Sequence, residues 1–204
     1  MQQELLRTLW MSVMESSLNI GYVYPSTKAL GPGKRYVLWL RGCHRCCPGC
    51  ASPELRMEKP AKWVSINIIL QSIISTGDID GITISGGEPL LQSKALGQLL
   101  YSLRKLKPEL SIILYTGFSW EDIPQDATDH VIPFIDLLID GVYVDSLNDG
   151  KGLRGSSNQK FHYLTDKLIP FQSEIENGKR EREIHLLSQY EVLTIGIPPK
   201  VSRV

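Results

Sequence analysis

Short apolar runs alternate with longer amphipathic segments along most of the chain. The runs are rich in β-branched residues and stop at glycine or polar residues, which is typical of buried strands. Four such strands are predicted, at Tyr36–Leu40, Gly81–Ser85, Ser111–Tyr115 and Ile135–Ile139. Two helices are predicted between them, at Ile66–Ile74 and Leu90–Leu106. Strands that alternate with helices indicate parallel βαβ units, and hence an α/β sheet or partial barrel.

Polar or glycine-rich segments follow the predicted strands. In parallel α/β folds ligands bind at the carboxyl ends of the strands, so these segments are where a site is expected. They are CHRCCPGC at 43–50, SGGEP at 85–89, YTG at 115–117 and DG at 140–141.

The two ends of the chain carry weaker patterns. Residues 1–18 place Leu5, Leu6, Leu9 and Trp10 at helical spacing, which predicts a short helix for packing or oligomerisation. Residues 142–163 are rich in loop-forming residues, and Val192–Ile197 is a further strand candidate. These patterns predict no internal repeat and no second domain.

Composition narrows the functional classes. The 204 residues suit one domain, and 22 basic residues balance 22 acidic ones, so no global field favours nucleic acid or an anionic membrane. No run of eighteen apolar residues occurs, and the N-terminus lacks the features of a secretory signal. We therefore expect a cytoplasmic protein with neither a nucleic-acid partner nor a membrane.

All four cysteines lie between Cys43 and Cys50. A disulfide framework spreads its cysteines along the chain, whereas so tight a group indicates metal binding or redox chemistry. Cys43, Cys47 and Cys50 follow a Cys-x3-Cys-x2-Cys pattern that sets Cys46 aside. Three thiolates can hold three irons of a 4Fe–4S cubane and leave the fourth iron open to a small molecule.

Two other interpretations of the cysteines stay open on spacing alone. Two adjoining CxxC pairs can form a four-thiolate zinc site, although zinc pairs are usually separated by a dozen or more residues. A redox dithiol is the third interpretation, but the loop lacks the helix start that lowers a thiol pKa. Spacing favours the iron–sulfur cluster, then zinc, then the dithiol.

The cysteine loop and the motifs after it resemble the radical S-adenosylmethionine superfamily. Within it, the chain is most similar to the activating enzymes of glycyl-radical enzymes, above all the activase of anaerobic ribonucleoside-triphosphate reductase. The likeness spans roughly residues 31–160, in the order Gly31-Pro32-Gly33, Cys47-Pro48-Gly49-Cys50, SGGEPL, LYTGF at 114–118, LLIDG at 137–141 and LRGSSNQ at 153–159.

The resemblance implies a role for each matching residue. Cys43, Cys47 and Cys50 would be the cluster ligands, with S-adenosylmethionine as the second cofactor. Gly86, Gly87 and Glu88 would meet the methionine amino group of S-adenosylmethionine, because an ammonium needs acceptors and glycine permits close approach. Two strand-end residues, Thr116 and Asp140, are candidate cofactor contacts, or else cap a turn or helix. Four further polar residues form a loop that we expect near the cofactor or near the entrance for a partner: Arg154, Ser156, Asn158 and Gln159.

The same resemblance implies an enzyme, a fold and partners. We expect reductive cleavage of S-adenosylmethionine to a 5′-deoxyadenosyl radical, which installs a glycyl radical on a partner such as anaerobic ribonucleotide reductase. The electron would come from a low-potential donor such as flavodoxin or ferredoxin. The expected fold is one α/β domain over 1–204, a partial (βα) barrel of parallel strands with its core at about 31–163. Residues 1–30 and 164–204 would be N-terminal and C-terminal extensions.

Many superfamily members have an aromatic residue immediately before the last cysteine, where this chain has Gly49. The reductase-activase branch also has Pro-Gly at this place, so Gly49 supports that branch. Two other features leave the substrate open. The terminal extensions and Cys46 depart from the compact activase core. A radical enzyme that modifies a peptide or small molecule is therefore an alternative, as is a non-catalytic zinc or electron-transfer module.

Overall fold

Nine strands and four α-helices form the structure, a computed structural model that describes residues 16–186, 189 and 192–199. The strands are β1 (Ser17–Thr27), β2 (Arg35–Leu40), β3 (Trp63–Ser65), β4 (Gly81–Gly86), β5 (Ser111–Tyr115), β6 (Leu137–Asp140), β7 (Lys160–Tyr163), β8 (Glu183–Leu186) and β9 (Val192–Ile195). The helices are α1 (Ile66–Ser75), α2 (Ser93–Leu106), α3 (Gln125–His130) and α4 (Gln172–Asn177). Short 3-10 helices lie at Pro53–Leu55, Pro89–Gln92, Trp120–Asp122, Ile132–Phe134, Asp145–Leu147 and Asp166–Phe171.

Seven strands form one sheet in the order β3-β1-β2-β4-β5-β6-β7. The central strands β2, β4, β5 and β6 are parallel, and β1, β3 and β7 add antiparallel pairings at the two sides. The expected single α/β domain with a parallel core, consistent with a partial barrel, is confirmed. The parallel order places the ends of β2, β4, β5 and β6 along one edge.

The core strands are buried because both faces of the sheet are covered. Ile112 and Leu114 of β5 pack into the larger cluster with α1 and α2, while Ile113 between them belongs to a second cluster with Leu168 and Ile175. Side chains of a strand alternate between faces, so one apolar run supplies both clusters. This explains why the parallel strands are continuous apolar runs in the sequence.

Arg35 ties the opposite, amino-terminal edge of the sheet together from a fully buried position. Its guanidinium donates to Thr83 Oγ1 at 2.7 Å, to the Ile82 carbonyl at 2.6 Å and to the Ser111 carbonyl at 2.9 Å. Burial lowers the pKa of Arg35 to about 10, so the group stays charged at neutral pH. β2, β4 and β5 are thus joined by one side chain.

The structure shows elements at the edges that the sequence patterns did not predict. Residues 17–27, within the segment expected to be an N-terminal extension, form the long strand β1. The predicted helix over residues 1–18 lies mainly outside the described residues, and its last two positions begin β1. The segment expected to be loop-rich contains β7, and the predicted helix from Leu90 begins as a 3-10 turn before α2.

Candidate functional site

The cysteine loop leaves β2 at the carboxyl edge of the sheet. Gly42 turns the chain with φ +101°, and Gly49 turns it again with φ +74°, a conformation that favours glycine. The Cys50 amide donates to the Cys47 carbonyl at 3.2 Å, and Pro48-Gly49 forms the turn between them. The Pro-Gly pair therefore brings the last two predicted ligands to adjacent positions in one turn.

The loop is fixed to the turn that follows β4. The Gly87 amide donates to the Leu40 carbonyl at 2.8 Å, and the Glu88 amide donates to the Gly42 carbonyl at 2.7 Å. A Cβ at Gly87 would lie 2.3 Å from the Gly42 carbonyl oxygen, so a larger residue cannot occupy this position without displacing backbone. The cysteine loop and the Gly-Gly-Glu turn form one unit.

A cavity of about 560 Å³ lies at this edge. The three predicted ligands, Cys43, Cys47 and Cys50, are partly buried and line this cavity. Four other residues predicted from the sequence line it too: Gly86, Gly87, Glu88 and Thr116. Cys46 is exposed and does not belong to that lining. The structure thus brings together seven of the eight predicted site residues, and Asp140 does not belong to the lining although its neighbour Gly141 does.

Asp140, at the end of β6, holds the start of a 3-10 helix at Trp120 and the start of β7 at Lys160. Its carboxylate accepts from the Trp120 amide at 2.7 Å and from the Lys160 amide at 3.1 Å, and it lies 3.0 Å from His162 Nε2. These contacts match the turn-capping alternative for Asp140. Contact between Asp140 and a cofactor stays a prediction.

Glu88 is nearly fully buried, and its carboxylate holds the next strand end in place. Oε1 accepts from Thr116 Oγ1 at 2.8 Å and from the Leu90 amide at 3.1 Å, and Oε2 accepts from the Gly117 amide at 2.7 Å. Burial raises the pKa of Glu88, and the hydrogen bonds and the nearby Arg45 oppose that rise. The side chain links the ends of β4 and β5, and its contact with the methionine amino group stays a prediction.

The polar segment 153–159 shapes the rim of the cavity. Gln159 accepts from the Gly155 amide at 2.7 Å and donates to the Gly141 carbonyl at 2.8 Å, and Asn158 donates to the Val142 carbonyl at 2.8 Å. Ser156 accepts from the Val144 amide at 3.1 Å. Gln159 and Gly155 line the cavity, which supports the expectation that this loop lies beside the site.

Arg45 is a cavity residue to which sequence reasoning assigned no role. Its guanidinium carbon lies 4.6 Å from the centroid of the Phe118 ring, and its side chain crosses Gly117. It therefore packs the cysteine loop against the end of β5. The position of a basic residue within the cysteine loop could have indicated a role for Arg45. The sequence position alone did not show which residues its side chain would contact.

The donor set of the loop fits an iron–sulfur cluster. Three partly buried thiols line one cavity. Burial raises the pKa of Cys43, which favours the neutral thiol in the absence of metal, and metal binding requires its deprotonation. The Arg45 amide lies 3.4 Å from Cys43 Sγ and donates to it, as amides do to cluster sulfurs. Within the described residues, no group of three His, Cys, Asp or Glu side chains is placed to hold one metal ion, so the fit rests on the type of donor and on the shared cavity.

A parallel α/β core with a cysteine loop after one strand and a Gly-Gly-Glu turn after its parallel neighbour defines the class of radical S-adenosylmethionine-type iron–sulfur domains. Residues 29–162 match the family described as a 4Fe-4S single cluster domain. The chain belongs to this family.

Known relatives carry the name anaerobic ribonucleoside-triphosphate reductase-activating protein. The protein of Enterobacteria phage T4 is 33% identical over 153 residues, which are 73% of this chain and 96% of the relative. Those of Escherichia coli K12 and Vibrio cholerae are 30% and 28% identical, over 72% of this chain and 99% of each relative. The protein is a radical S-adenosylmethionine enzyme of the 4Fe–4S type, related to these activating proteins. No helix in the described part of the chain is long and apolar enough to cross a membrane.

Proposed function

We propose that the chain activates a glycyl-radical enzyme, with anaerobic ribonucleotide reductase as its target. The observation that carries the proposal is the joint unit of the cysteine loop and the Gly-Gly-Glu turn, which share one cavity. The names of the relatives supply the target. A flavodoxin or ferredoxin in a reducing compartment such as the cytoplasm would supply the electron.

In this proposal the residues of the chain bind and orient, and the bound groups supply the chemistry. Cys43, Cys47 and Cys50 ligate the cluster, while Cys46 stays free. When bound, the cluster and S-adenosylmethionine supply a one-electron reductive cleavage that yields a carbon-centred radical. The carbonyls of Gly86 and Gly87 accept the methionine ammonium, and Thr116 orients the cofactor beside the turn.

The proposal is tested anaerobically with the reconstituted enzyme, S-adenosylmethionine, a chemical reductant and the anaerobic reductase of the source organism. We expect a glycyl-radical signal on the reductase in electron paramagnetic resonance, with 5′-deoxyadenosine formed alongside it. The Cys43→Ala variant should give neither product. Formation of 5′-deoxyadenosine without the protein radical would refute the reductase as target and favour a peptide or small-molecule substrate.

Metal analysis of the same preparation separates the non-catalytic alternative. A 4Fe–4S cluster gives about four irons and four sulfides for each chain. One zinc for each chain, with no iron, would show the four-thiolate zinc module instead.

A further inference from the structure

Strand β9 of the C-terminal hairpin, with the residues that follow it, forms one wall of the cavity. It lies beyond residue 162, where the family match ends. Val192, Leu193 and Thr194 of β9, together with Ile197, line the cavity that the three predicted ligand cysteines share. This wall of the cavity is therefore built by residues that lie outside the family match.

The cavity borders the edge of β9 rather than one face of the hairpin. Side chains of successive strand residues point to opposite faces, so three consecutive lining residues share only the strand edge. Over the described residues β9 pairs with β8 alone, and the cavity lining contains no residue of β8 (Glu183–Leu186). The edge of β9 away from β8 therefore borders the cavity.

This edge lacks the usual protection against pairing. Exposed edge strands normally carry a charge, a proline or a bulge. β9 has the sequence Val-Leu-Thr-Ile, and its register with β8 has no shift. Val192 is 58% exposed, and Tyr22, also in the cavity lining, is 44% exposed. Pro198 and Pro199 limit the open edge to about four residues.

The hairpin is held firmly against the sheet. Glu183 accepts from Thr27 Oγ1 at 2.6 Å and from the Lys28 amide at 3.1 Å, and the Tyr24 hydroxyl lies 3.0 Å from His185 Nε2. Ile195 is fully buried in a cluster with Ala29, Leu30 and Val37. The edge is therefore preorganised, which lowers the entropy cost of binding.

We propose that the outer edge of β9 is the docking site for the target polypeptide, which adds as a third strand. The inference rests on the proposed function, because it takes the target to be a protein segment that carries the reacting glycine. Strand addition gives affinity through main-chain hydrogen bonds, with little demand on side chains. A strand on this edge lies against the cavity that the cysteine loop and the Gly-Gly-Glu turn also line.

The first test uses the wild-type holoenzyme and a labelled peptide of ~12 residues around the reactive glycine of the anaerobic reductase of the source organism. Two further peptides carry N-methyl groups on alternate residues, in opposite phases. Only every second amide of a strand faces its neighbour, so one phase should weaken binding at least ~tenfold while the other binds as the parent does. The docking edge is overturned if the parent peptide does not bind. It is also overturned if the two methylated peptides bind with equal affinity, whether or not that affinity is weaker than that of the parent peptide.

The second test alters the hairpin itself. Amides of neighbouring strand residues point in opposite directions, so Leu193→Pro and Thr194→Pro remove different hydrogen bonds. One variant should lose hairpin stability, and the other should keep the wild-type melting temperature but bind the peptide at least ~tenfold more weakly. If the stable variant binds normally, the proposal is wrong. The proposal is also wrong if the wild type is a dimer that binds no peptide and the stable proline variant dissociates that dimer. That result would assign the edge of β9 to a second copy of the chain.

These outcomes separate the two proposals. A wild-type enzyme that forms the protein radical, but shows no phase dependence, defeats the docking edge alone. Phase-dependent peptide binding without any protein radical supports the docking edge and defeats the activase function.

Discussion

Within one loop of eight residues, the cysteines have two kinds of environment. Cys43, Cys47 and Cys50 are partly buried against the cavity, while Cys46 is exposed. The Cys-x3-Cys-x2-Cys spacing predicts the first three as ligands and sets the fourth thiol aside, and that ligand set stays a prediction. The contacts of Arg45 with Phe118 and Gly117 could not be predicted, since they depend on how β5 ends beside the loop.

The division predicts how alanine variants of the loop behave. Replacing Cys43, Cys47 or Cys50 by Ala should abolish the visible absorbance of the cluster and the formation of 5′-deoxyadenosine, because a ligand is lost. Cys46→Ala is the matched control and should retain both. Loss in Cys46→Ala would show a four-thiolate site, and retention in any of the other three would remove that residue from the ligand set.

Thr116 should contribute to stability through its hydroxyl. It donates to Glu88 at 2.8 Å and accepts from the Phe118 amide at 3.1 Å. Thr116→Val keeps the shape but leaves buried polar partners unsatisfied, so we expect a loss of about 1–3 kcal/mol in the free energy of unfolding. Urea titration measures it, with the exposed Thr128→Val as control. Equal stability of the two variants would contradict the linking role.

Glu88 gives stability a defined pH dependence. Its pKa in the folded state is raised, so the folded protein holds this proton more tightly than the unfolded chain. The resulting stability is present below the unfolded pKa and is lost as the pH rises through the folded pKa. The free energy of unfolding of the wild type, measured relative to that of Glu88→Gln, should therefore be highest in acid. This difference between the two proteins should fall as the pH increases. Urea titrations from about pH 4 to 7 check this sign, and an opposite slope would contradict it.

At the scale of elements, the central strands were predictable because both faces of the sheet are covered. Ser111–Tyr115 was predicted with the observed bounds, and β2 and β4 each differ from prediction by one residue. β1 was missed because Gly21 and Pro25 interrupt its pattern and its pairing with β2 is irregular in two places. β7 and β8 were missed because four-residue strands with charged residues look like loop in sequence.

The contact between the two site loops yields a prediction on backbone packing. A methyl group at Gly87 would meet the Gly42 carbonyl oxygen at 2.3 Å, so Gly87→Ala must push the Gly-Gly-Glu turn off the cysteine loop. We expect a stability loss of about 1–3 kcal/mol and reduced cluster content after reconstitution. Gly77→Ala is the control, because a methyl group at Gly77 would meet no atom within 4 Å. Its only cost is the backbone strain of the positive φ at this position. Full cluster loading in Gly87→Ala would contradict the packing argument.

On the scale of the whole molecule, Arg180 joins the C-terminal segment to the cavity rim. Its guanidinium donates to Asn148 Oδ1 at 2.8 Å and to the Pro198 carbonyl at 3.0 Å, and it also reaches the carbonyls of Arg154 and Gly155. The sequence showed only a charged stretch there. The partners of Arg180 are distant along the chain, so its role could not be predicted.

Removing this connection should loosen the C-terminal wall selectively. In Arg180→Ala we expect amide hydrogen exchange over residues 192–199 to rise about tenfold, while β4 and β5 keep their protection. Arg182→Ala removes an exposed arginine two residues away and should leave exchange unchanged. Uniform loosening of the whole chain, or none in residues 192–199, would contradict the local role.

The sheet order also sets the sequence of events in biogenesis. Arg35 pairs with Gly81, and Ser17 pairs with Ser65, so neighbouring strands meet only after long loops have closed. Such non-local pairing slows folding. The cysteine loop spans the gap between β2 and β4, and its hydrogen bonds to the Gly-Gly-Glu turn require that pair to exist. Cluster assembly is therefore expected to follow β2–β4 pairing, and iron supplied before that stage would meet thiols not yet held by the fold.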